Sequence, residues 1–405
     1  MKTSVLYISY TGLLDPLGQS QVLQYVAGLA SNHQMTLLTF EKREALRETV
    51  LVTDLKEQCR KAGVDWHHLN YHNSPNMPAT LYDVMMGVRI GVRLAREANA
   101  SVVHCRSYLA SLMGLLIKRV TGARHIFDMR GFWPDERVDG GIWQKDSFKY
   151  RIFKRLERAL FQHTDHVVSL THSGEAEIRQ FDYLLERPPP ISVIPTCTNL
   201  NIFKPSDLAR QRVEEFTLGY VGSAGSWYMF DKVARVVRRL FNTRPGSRFL
   251  VINKGGHEFI RRELLSADVD LNRVEIRAVP FHDVAEEISR MDAGIFFYQS
   301  GWSRRATCPT RLGEFLAMGK PCLANGGVGD VEKVLGETRT GIVINDMQPE
   351  TLNHALDQLI AICGEPGVSG RCRAAAADQF SLRRGIERYT AIYASLASEA
   401  QQKPR

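Results

Sequence analysis

The sequence predicts an α/β protein built from two parallel-sheet domains, and three observations carry that reading. Short apolar runs alternate with amphipathic stretches, the alternation occurs twice, and it lapses between Pro195 and Glu215, where prolines and polar residues collect. A length of 405 residues agrees, because about 150 residues make an ordinary domain.

In the first half, residues 4–9 and 34–40 read as strands around a helix at 19–31. Further strands are expected at 64–69, 101–105, 125–128, 166–170 and 191–194, with helices between them, notably 82–97 and 109–121. The domain limits follow as 1–200 for the first domain, 201–215 for a linker and 216–380 for the second domain. Strands in the second are expected at 216–221, 249–253, 274–278, 294–298, 321–324 and 341–344, and a last helix at 382–399.

Hydrophobic residues make up 44% of the chain and charged residues 24%, the balance of a globular protein with material for two cores. Disorder is expected only at 401–405. The seven cysteines contain no C-x-x-C pair and read as free thiols of a reducing compartment. The first apolar run is too short for a signal-peptide core, and no window reaches the ~20 apolar residues of a membrane span, so a cytoplasmic location is expected.

The net charge of +8 calls for an acidic partner. Lys145–Arg158 mixes six cations with Phe148, Tyr150, Ile152, Phe153 and Leu156 at helical spacing. Two readings fit it: a basic amphipathic helix on an anionic membrane surface, and a surface helix packing its apolar stripe on the core. No nucleic-acid-binding motif accompanies the charge, so nucleic acid is not an expected partner.

The segment 303–325, SRRATCPTRLGEFLAMGKPCLAN, is the most informative. Pro309 pre-sets the backbone for a first helical turn, Leu312, Phe315 and Leu316 recur at three- and four-residue steps, and Gly319 stops the helix. Free N–H groups at such a start attract phosphate oxygens, beside which Thr310 stands and to which Arg311 adds a planar cation. Glu314, one turn further in, offers two acceptor oxygens to the vicinal hydroxyls of a ribose. Ordinary surface charges are the alternative for this Arg and Glu.

PTRLGEFLAMGKP resembles the P-T-K-x-x-E-Y-x-A-x-G-K-P segment of family-four retaining glycosyltransferases, which have the GT-B fold of two Rossmann-like domains facing across a cleft. The likeness continues elsewhere. TGLLDPLGQSQVLQYVAGLA with the preceding Tyr10 resembles the family's N-terminal glycine loop and first helix, LGYVGSAGSWY the opening of its donor domain, and FSLRRGIERYTAIYASL its closing helix, which crosses back to the first domain. The family often carries two glutamates seven residues apart. With Glu314 as the second, the first falls at Ala306, as in subgroups with this type of segment that lack it.

The resemblance implies a nucleotide-diphosphate sugar as donor substrate and a glycan or lipid-linked acceptor, in cell-surface polysaccharide or glycoconjugate synthesis. A nucleotide-sugar 2-epimerase of the same fold and a non-catalytic sugar-nucleotide or glycan-binding partner are the other readings. Gly222 and Ser223, in the turn after a strand, would face the donor diphosphate, and Val279–Val284 would frame the base through its backbone. The family's Arg and Lys further along the Gly222 loop are absent, Trp227 and Tyr228 standing there instead. Lys254, at the next strand end, is either their replacement or a solvated lysine.

On the acceptor side, Gly18 is expected against the diphosphate or sugar, with a plain strand–helix turn as the alternative. Asp128 and Arg130 follow a buried strand and could bind an acceptor hydroxyl and a phosphate, or form a structural pair. His104, at another strand end, is a further catalytic candidate or a core histidine. No ligand spacing for a metal is present, so no metal cofactor is expected and the leaving-group charge falls to Arg311, Lys254 and helix N-termini.

Overall fold

The computed structural model describes residues 2–205 and 215–402; of the linker expected at 201–215, residues 206–214 lie outside the described residues, as do 403–405 of the expected disordered tail. The chain forms two compact units, Met1–Pro195 with Leu382–Arg405, and Thr196–Ser381.

Unit 1 holds strands β1 (Ser4–Ser9), β2 (Gln34–Glu41), β3 (Val64–Asn70), β4 (Val102–Arg106), β5 (Arg124–Asp128), β6 (His166–Ser169) and β7 (Ile191–Val193), paired in parallel in the order β3-β2-β1-β4-β5-β6-β7. Unit 2 holds β8 (Thr217–Val221), β9 (Arg248–Ile252), β10 (Val274–Arg277), β11 (Ala293–Phe296), β12 (Cys322–Asn325) and β13 (Gly341–Ile344), likewise parallel, in the order β10-β9-β8-β11-β12-β13. The two parallel-sheet α/β domains expected from the sequence are therefore present.

The central strands are almost continuously apolar because helices cover both faces of a parallel sheet. In unit 1, Leu6, Ile8, Leu38 and Val103 pack against Ala110, Met113 and Ile117 of the helix Ser107–Thr121. In unit 2, Leu218, Phe249, Val251 and Ile295 pack with Val233, Val237 and Leu240 of the helix Phe230–Thr243.

Three boundaries differ from the sequence expectation for local reasons. The first helix begins at Pro16, capped by the Asp15 side chain accepting from Leu17 N at 3.0 Å, and passes through a π-helical turn, Gln19–Leu23, before Gln24–Ala30. The helix expected at 82–97 starts at Asn76, because Pro78 falls in the first turn, where no donor is needed. Residues 196–200 belong with the second unit: Thr198 N donates to Phe380 O at 2.7 Å, and Thr196 Oγ1 to Cys308 O at 3.0 Å.

The C-terminal helix, Leu382–Gln402, packs on unit 1. Ile386 lies against Gly28, Tyr389 meets Tyr25 edge-on at 5.5 Å, and Arg388 donates to Val193 O at 2.8 Å.

Candidate functional site

In each sheet the strand order reverses beside the first strand, between β1 and β4 and between β8 and β11. Ligands of open α/β sheets bind outside the carboxyl ends at such switch points, and the sequence candidates collect there.

In unit 2 the helix Thr310–Ala317 begins after Pro309, and Gly319, at φ +72°, ends it. Arg311, only 6% exposed, has its guanidinium over two rings, 4.7 Å from Tyr220 and 4.5 Å from Tyr228. Its Nη2 donates to Ser223 O at 3.2 Å, while Nη1 is buried with no hydrogen-bond partner among the described residues. Burial penalises its charge, but Tyr220, Tyr298 and Tyr228 more than offset this and raise its proton affinity.

Gly222, at the end of β8, has φ +98°, and a Cβ there would come within 2.7 Å of Arg311 Nη2. Glycine thus serves the arginine's seat as well as the turn. Asn253, at the end of β9, donates to Gly222 O at 2.8 Å and accepts from Gly255 N at 3.0 Å, so it ties the two strand ends together. Ser223 and Lys254 are exposed, and Thr310 is half-buried.

Glu314 is 7% exposed, and burial pushes its carboxyl up to about 7 against the opposing Arg311 charge. This carboxyl sits in a dry environment where donors from a ligand would stabilise its charge.

Sequence reasoning missed Arg304. It is 4% exposed and lies 5.0 Å over the Trp227 ring, with Nε and Nη2 lacking partners among the described residues. Trp227 and Tyr228, where the resemblance looked for cations, are thus platforms for two buried arginines. Adjacent aromatics in a glycine loop were the available signal. Ala306 is fully buried at the end of the turn Trp302–Ala306.

In unit 1 the glycine loop is held by Glu41, another residue the sequence reading passed over. Its carboxylate accepts from Leu13 N at 2.7 Å, Leu14 N at 3.2 Å and Thr39 Oγ1 at 2.7 Å, a closed set around a 1% exposed side chain. Gly18 is buried, and a Cβ there would lie 1.9 Å from Gly12 O. The close approach that excludes a Cβ at this position is to the chain's own backbone.

Asp128, His104 and Arg130 are brought together. Asp128 Oδ2 lies 3.5 Å from His104 Nε2 and accepts from Tyr389 Oη at 3.2 Å, and Oδ1 lies 3.6 Å from Arg130 Nη1. Burial works to raise the Asp128 carboxyl, but the Arg130 charge, His104 and Arg106 outweigh it and hold it at about 2. His104 has no exposed surface; its Nδ1 lies 2.6 Å from Tyr393 Oη, its ring 4.3 Å from Tyr7, and burial lowers its proton affinity.

His104 and Asp128 therefore sit buried under the C-terminal helix, held by Tyr393 and Tyr389, with His104 Nε2 and Asp128 Oδ1 lacking hydrogen-bond partners among the described residues. Arg130, at φ +64°, is the partly exposed member. Arg106, also missed, ends β4 at 6% exposure with Nη1 unpartnered among the described residues, so two guanidiniums face one carboxylate. Tyr389 and Tyr393 come from a segment more than 250 residues away in sequence, which no local pattern could connect.

The basic segment 145–158 forms most of the helix Phe148–His163, whose Phe153, Leu160 and Phe161 are buried in unit 1. Lys154 is engaged by Asp135 and Glu157, and Lys149 lies 4.8 Å over Trp143. Of the apolar residues named for the segment, Phe153 is buried, Tyr150, Ile152 and Leu156 are half-buried and Phe148 is 73% exposed, so internal packing uses only part of the stripe. Among the described residues, no helix is long and apolar enough to cross a membrane, and no group of three His, Cys, Asp or Glu side chains could hold a metal.

Comparison with known proteins adds to this geometry. Residues 18–197 match the family described as a glycosyl transferase 4-like domain. No curated protein matches the chain. Among solved structures, the chain is similar to sucrose-phosphate synthase from Thermosynechococcus elongatus, at TM-score 0.73 and 14% identity, with 98% of this chain and 100% of that one covered. It is similar to a glycosyltransferase from Rickettsia africae at TM-score 0.71 and 14% identity, with 98% of each chain covered. The Anabaena protein HepE, in complex with UDP and glucose, aligns at TM-score 0.67 and 10% identity over 96% of this chain and 99% of that one. Residues 18–197 are thus similar to a glycosyl transferase 4-like domain, and the two parallel-sheet units have the fold of GT-B glycosyltransferase structures.

Proposed function

We propose that the protein is a retaining glycosyltransferase that moves a sugar from a nucleoside-diphosphate donor to a hydroxyl of a glycan or lipid-linked acceptor. The observation that carries this reading is Arg311: a guanidinium clamped between two tyrosine rings, buried, and with Nη1 unpaired among the described residues. Burying an unsatisfied donor is costly unless a ligand completes it, and a diphosphate oxygen would do so.

In this reading the donor diphosphate meets Arg311, the N–H groups at Thr310 and the Gly222-Ser223 turn. Arg304 supplies the second cation and Lys254 a third from its exposed strand end. Glu314 accepts from the ribose hydroxyls, and Val279–Val284 frames the base. With Ala306 at the position of the family's first glutamate, sugar recognition in this reading falls to other groups.

As the anomeric C–O bond breaks, its electron pair passes to the diphosphate, whose growing charge these groups stabilise. The acceptor oxygen bonds to the same face of the anomeric carbon and its proton passes to the departing phosphate oxygen. No protein base and no metal ion is then required. Arg130 serves the acceptor side, and Asp128 with His104 positions it from the buried cluster. A place in cell-surface polysaccharide or glycoconjugate synthesis at the cytoplasmic side of a membrane fits this substrate class.

UDP-glucose is the first donor to test, because a protein of the same fold holds UDP and glucose. The expected result is a thermal shift with UDP that Arg311→Ala abolishes, and turnover lowered by two to three powers of ten, about 3–4 kcal/mol of transition-state stabilisation. Unchanged turnover in Arg311→Ala would remove the site, and epimerised nucleotide sugar formed without an acceptor would replace the transfer reaction.

A further inference from the structure

The arginine cluster of unit 1 holds more positive charge than the chain balances. Arg106 ends β4, in register with Asp128 of the neighbouring β5, and Arg130 follows β5 by two residues. Arg106 is 6% exposed and the Arg130 side chain 8%. Among the described residues, Asp128 is the one carboxylate within ion-pair distance of either, 3.6 Å from Arg130 Nη1. His104 adds no charge at neutral pH, since burial lowers its proton affinity. Two guanidiniums against one carboxylate leave a buried positive charge uncompensated, which is costly unless an anion completes it.

The imbalance falls on Arg106. Burial and then the Arg130 charge lower its proton affinity, and Tyr7 and Asp128 offset this only in part. Burial also works against the charge of Arg130, but there Asp128 outweighs it. Three donor atoms of the pair are buried without partners among the described residues: Arg106 Nη1, Arg130 Nε and Arg130 Nη1. Arg130 Nη2 reaches Gln21 Oε1 at 3.5 Å, the limit of a hydrogen bond. Arg106 also flanks the N-terminus of the helix Ser107–Thr121, where its side chain makes no capping hydrogen bond. A helix start attracts anions, and this one follows directly on an open guanidinium.

We propose that Arg106 and Arg130, with the start of the helix Ser107–Thr121, form an anion site in unit 1 that takes a phosphoryl group carried by the acceptor. Three unpaired donors match the three terminal oxygens of a phosphoryl group better than the two of a carboxylate. The donor diphosphate has its own cations in unit 2, Arg311, Arg304 and Lys254, so the charge of unit 1 is left for the second substrate. Assignment to the acceptor rests on the glycosyl-transfer reading, whereas the anion site itself does not. Sugar phosphates and lipid diphosphates carry the same group, and the test separates them.

The test is calorimetric titration of the full chain with inorganic phosphate, in the presence of saturating UDP so that unit 2 is filled. One saturable site is expected, which Arg106→Gln and Arg130→Gln should each weaken about tenfold while UDP affinity is unchanged. Arg106→Gln also removes one of two neighbouring like charges, so without phosphate its urea midpoint should equal or exceed that of wild type. Arg106→Lys keeps the charge but loses the planar fork, and should fold and bind phosphate severalfold more weakly. Glucose 6-phosphate and geranyl diphosphate should compete for the site, and the tighter of the two identifies the acceptor as a sugar phosphate or a lipid diphosphate. Absence of saturable phosphate binding beside UDP overturns the proposal. So does a phosphate affinity unchanged in both glutamine variants, which together with a lowered urea midpoint for Arg106→Gln would make the arginine purely structural. Should UDP itself fail to bind, the donor reading falls, and phosphate titration of the same variants still tests this site.

Discussion

Both units bury arginines at the carboxyl edge of a parallel sheet, and in both some donor atoms are unpaired among the described residues, yet the arginines are seated differently. In unit 2, Arg311 and Arg304 rest on aromatic rings with donor atoms unpaired among the described residues, and Glu314 is held at about 7. In unit 1, Asp128 is held at about 2 by the Arg130 charge, His104 and Arg106, against its own burial, and His104 is closed by Tyr393. Buried charge alone does not mark a ligand site. What separates the two clusters is what lies against the guanidiniums: the Asp128 carboxylate in unit 1, aromatic rings in unit 2.

That contrast is breakable by substitution. Asp128→Ala leaves Arg130 and Arg106 buried without their carboxylate and is expected to destabilise by about 3–5 kcal/mol in urea unfolding, the largest effect here. A loss under 1 kcal/mol would show that unit 1 does not depend on the cluster. Arg311→Lys, by contrast, should preserve stability within about 1 kcal/mol while failing to restore turnover, because an ammonium cannot reproduce a planar guanidinium stacked on Tyr220 and Tyr228. Near-normal turnover in that variant would mean that point charge suffices.

Glu314 offers a sharper form. Its folded-state value is raised from 4.5 to about 7, so its contribution to stability is fully present below about 4.5 and lost as pH rises through 7. Glu314→Gln should therefore be more stable than wild type at pH 8, by at most about 3 kcal/mol, and equal to it at pH 4.5. The same variant should bind UDP more weakly at pH 8, since the ribose loses a charged acceptor. A gain in stability without a loss of UDP affinity would detach the carboxyl from the nucleotide. The smallest effect belongs to Tyr393→Phe, which removes one buried hydrogen bond to His104 and should cost about 1 kcal/mol with donor binding unchanged.

The helix start at Thr310 was legible because proline, apolar spacing and a terminal glycine act within about three turns of each other. The strands were legible for a similar reason: a strand buried on both faces must be apolar throughout its few residues. Gly222 was legible as a turn, but its second task, leaving room for Arg311, depends on a side chain 89 positions away. Gly18 was legible as a glycine of the strand–helix turn, but its close approach to Gly12 O depends on how the loop folds, which composition cannot carry. The basic stretch 145–158 shows the limit from the other side, since its periodicity suits a membrane and a core equally and only the structure shows Phe153 buried and Phe148 exposed.

By itself, then, the sequence determined the α/β class, the two alternating halves and the position of the Thr310–Glu314 segment, because each is encoded by neighbouring residues and the short-range physics of periodicity, caps and turns. Tertiary structure alone decided what each buried charge lies against: Tyr389 and Tyr393 reaching Asp128 and His104, Trp227 and Tyr228 seating Arg304 and Arg311, Asp83 orienting His72. Those pairings join residues distant in the chain, and the free energy of a buried charge depends on everything packed around it.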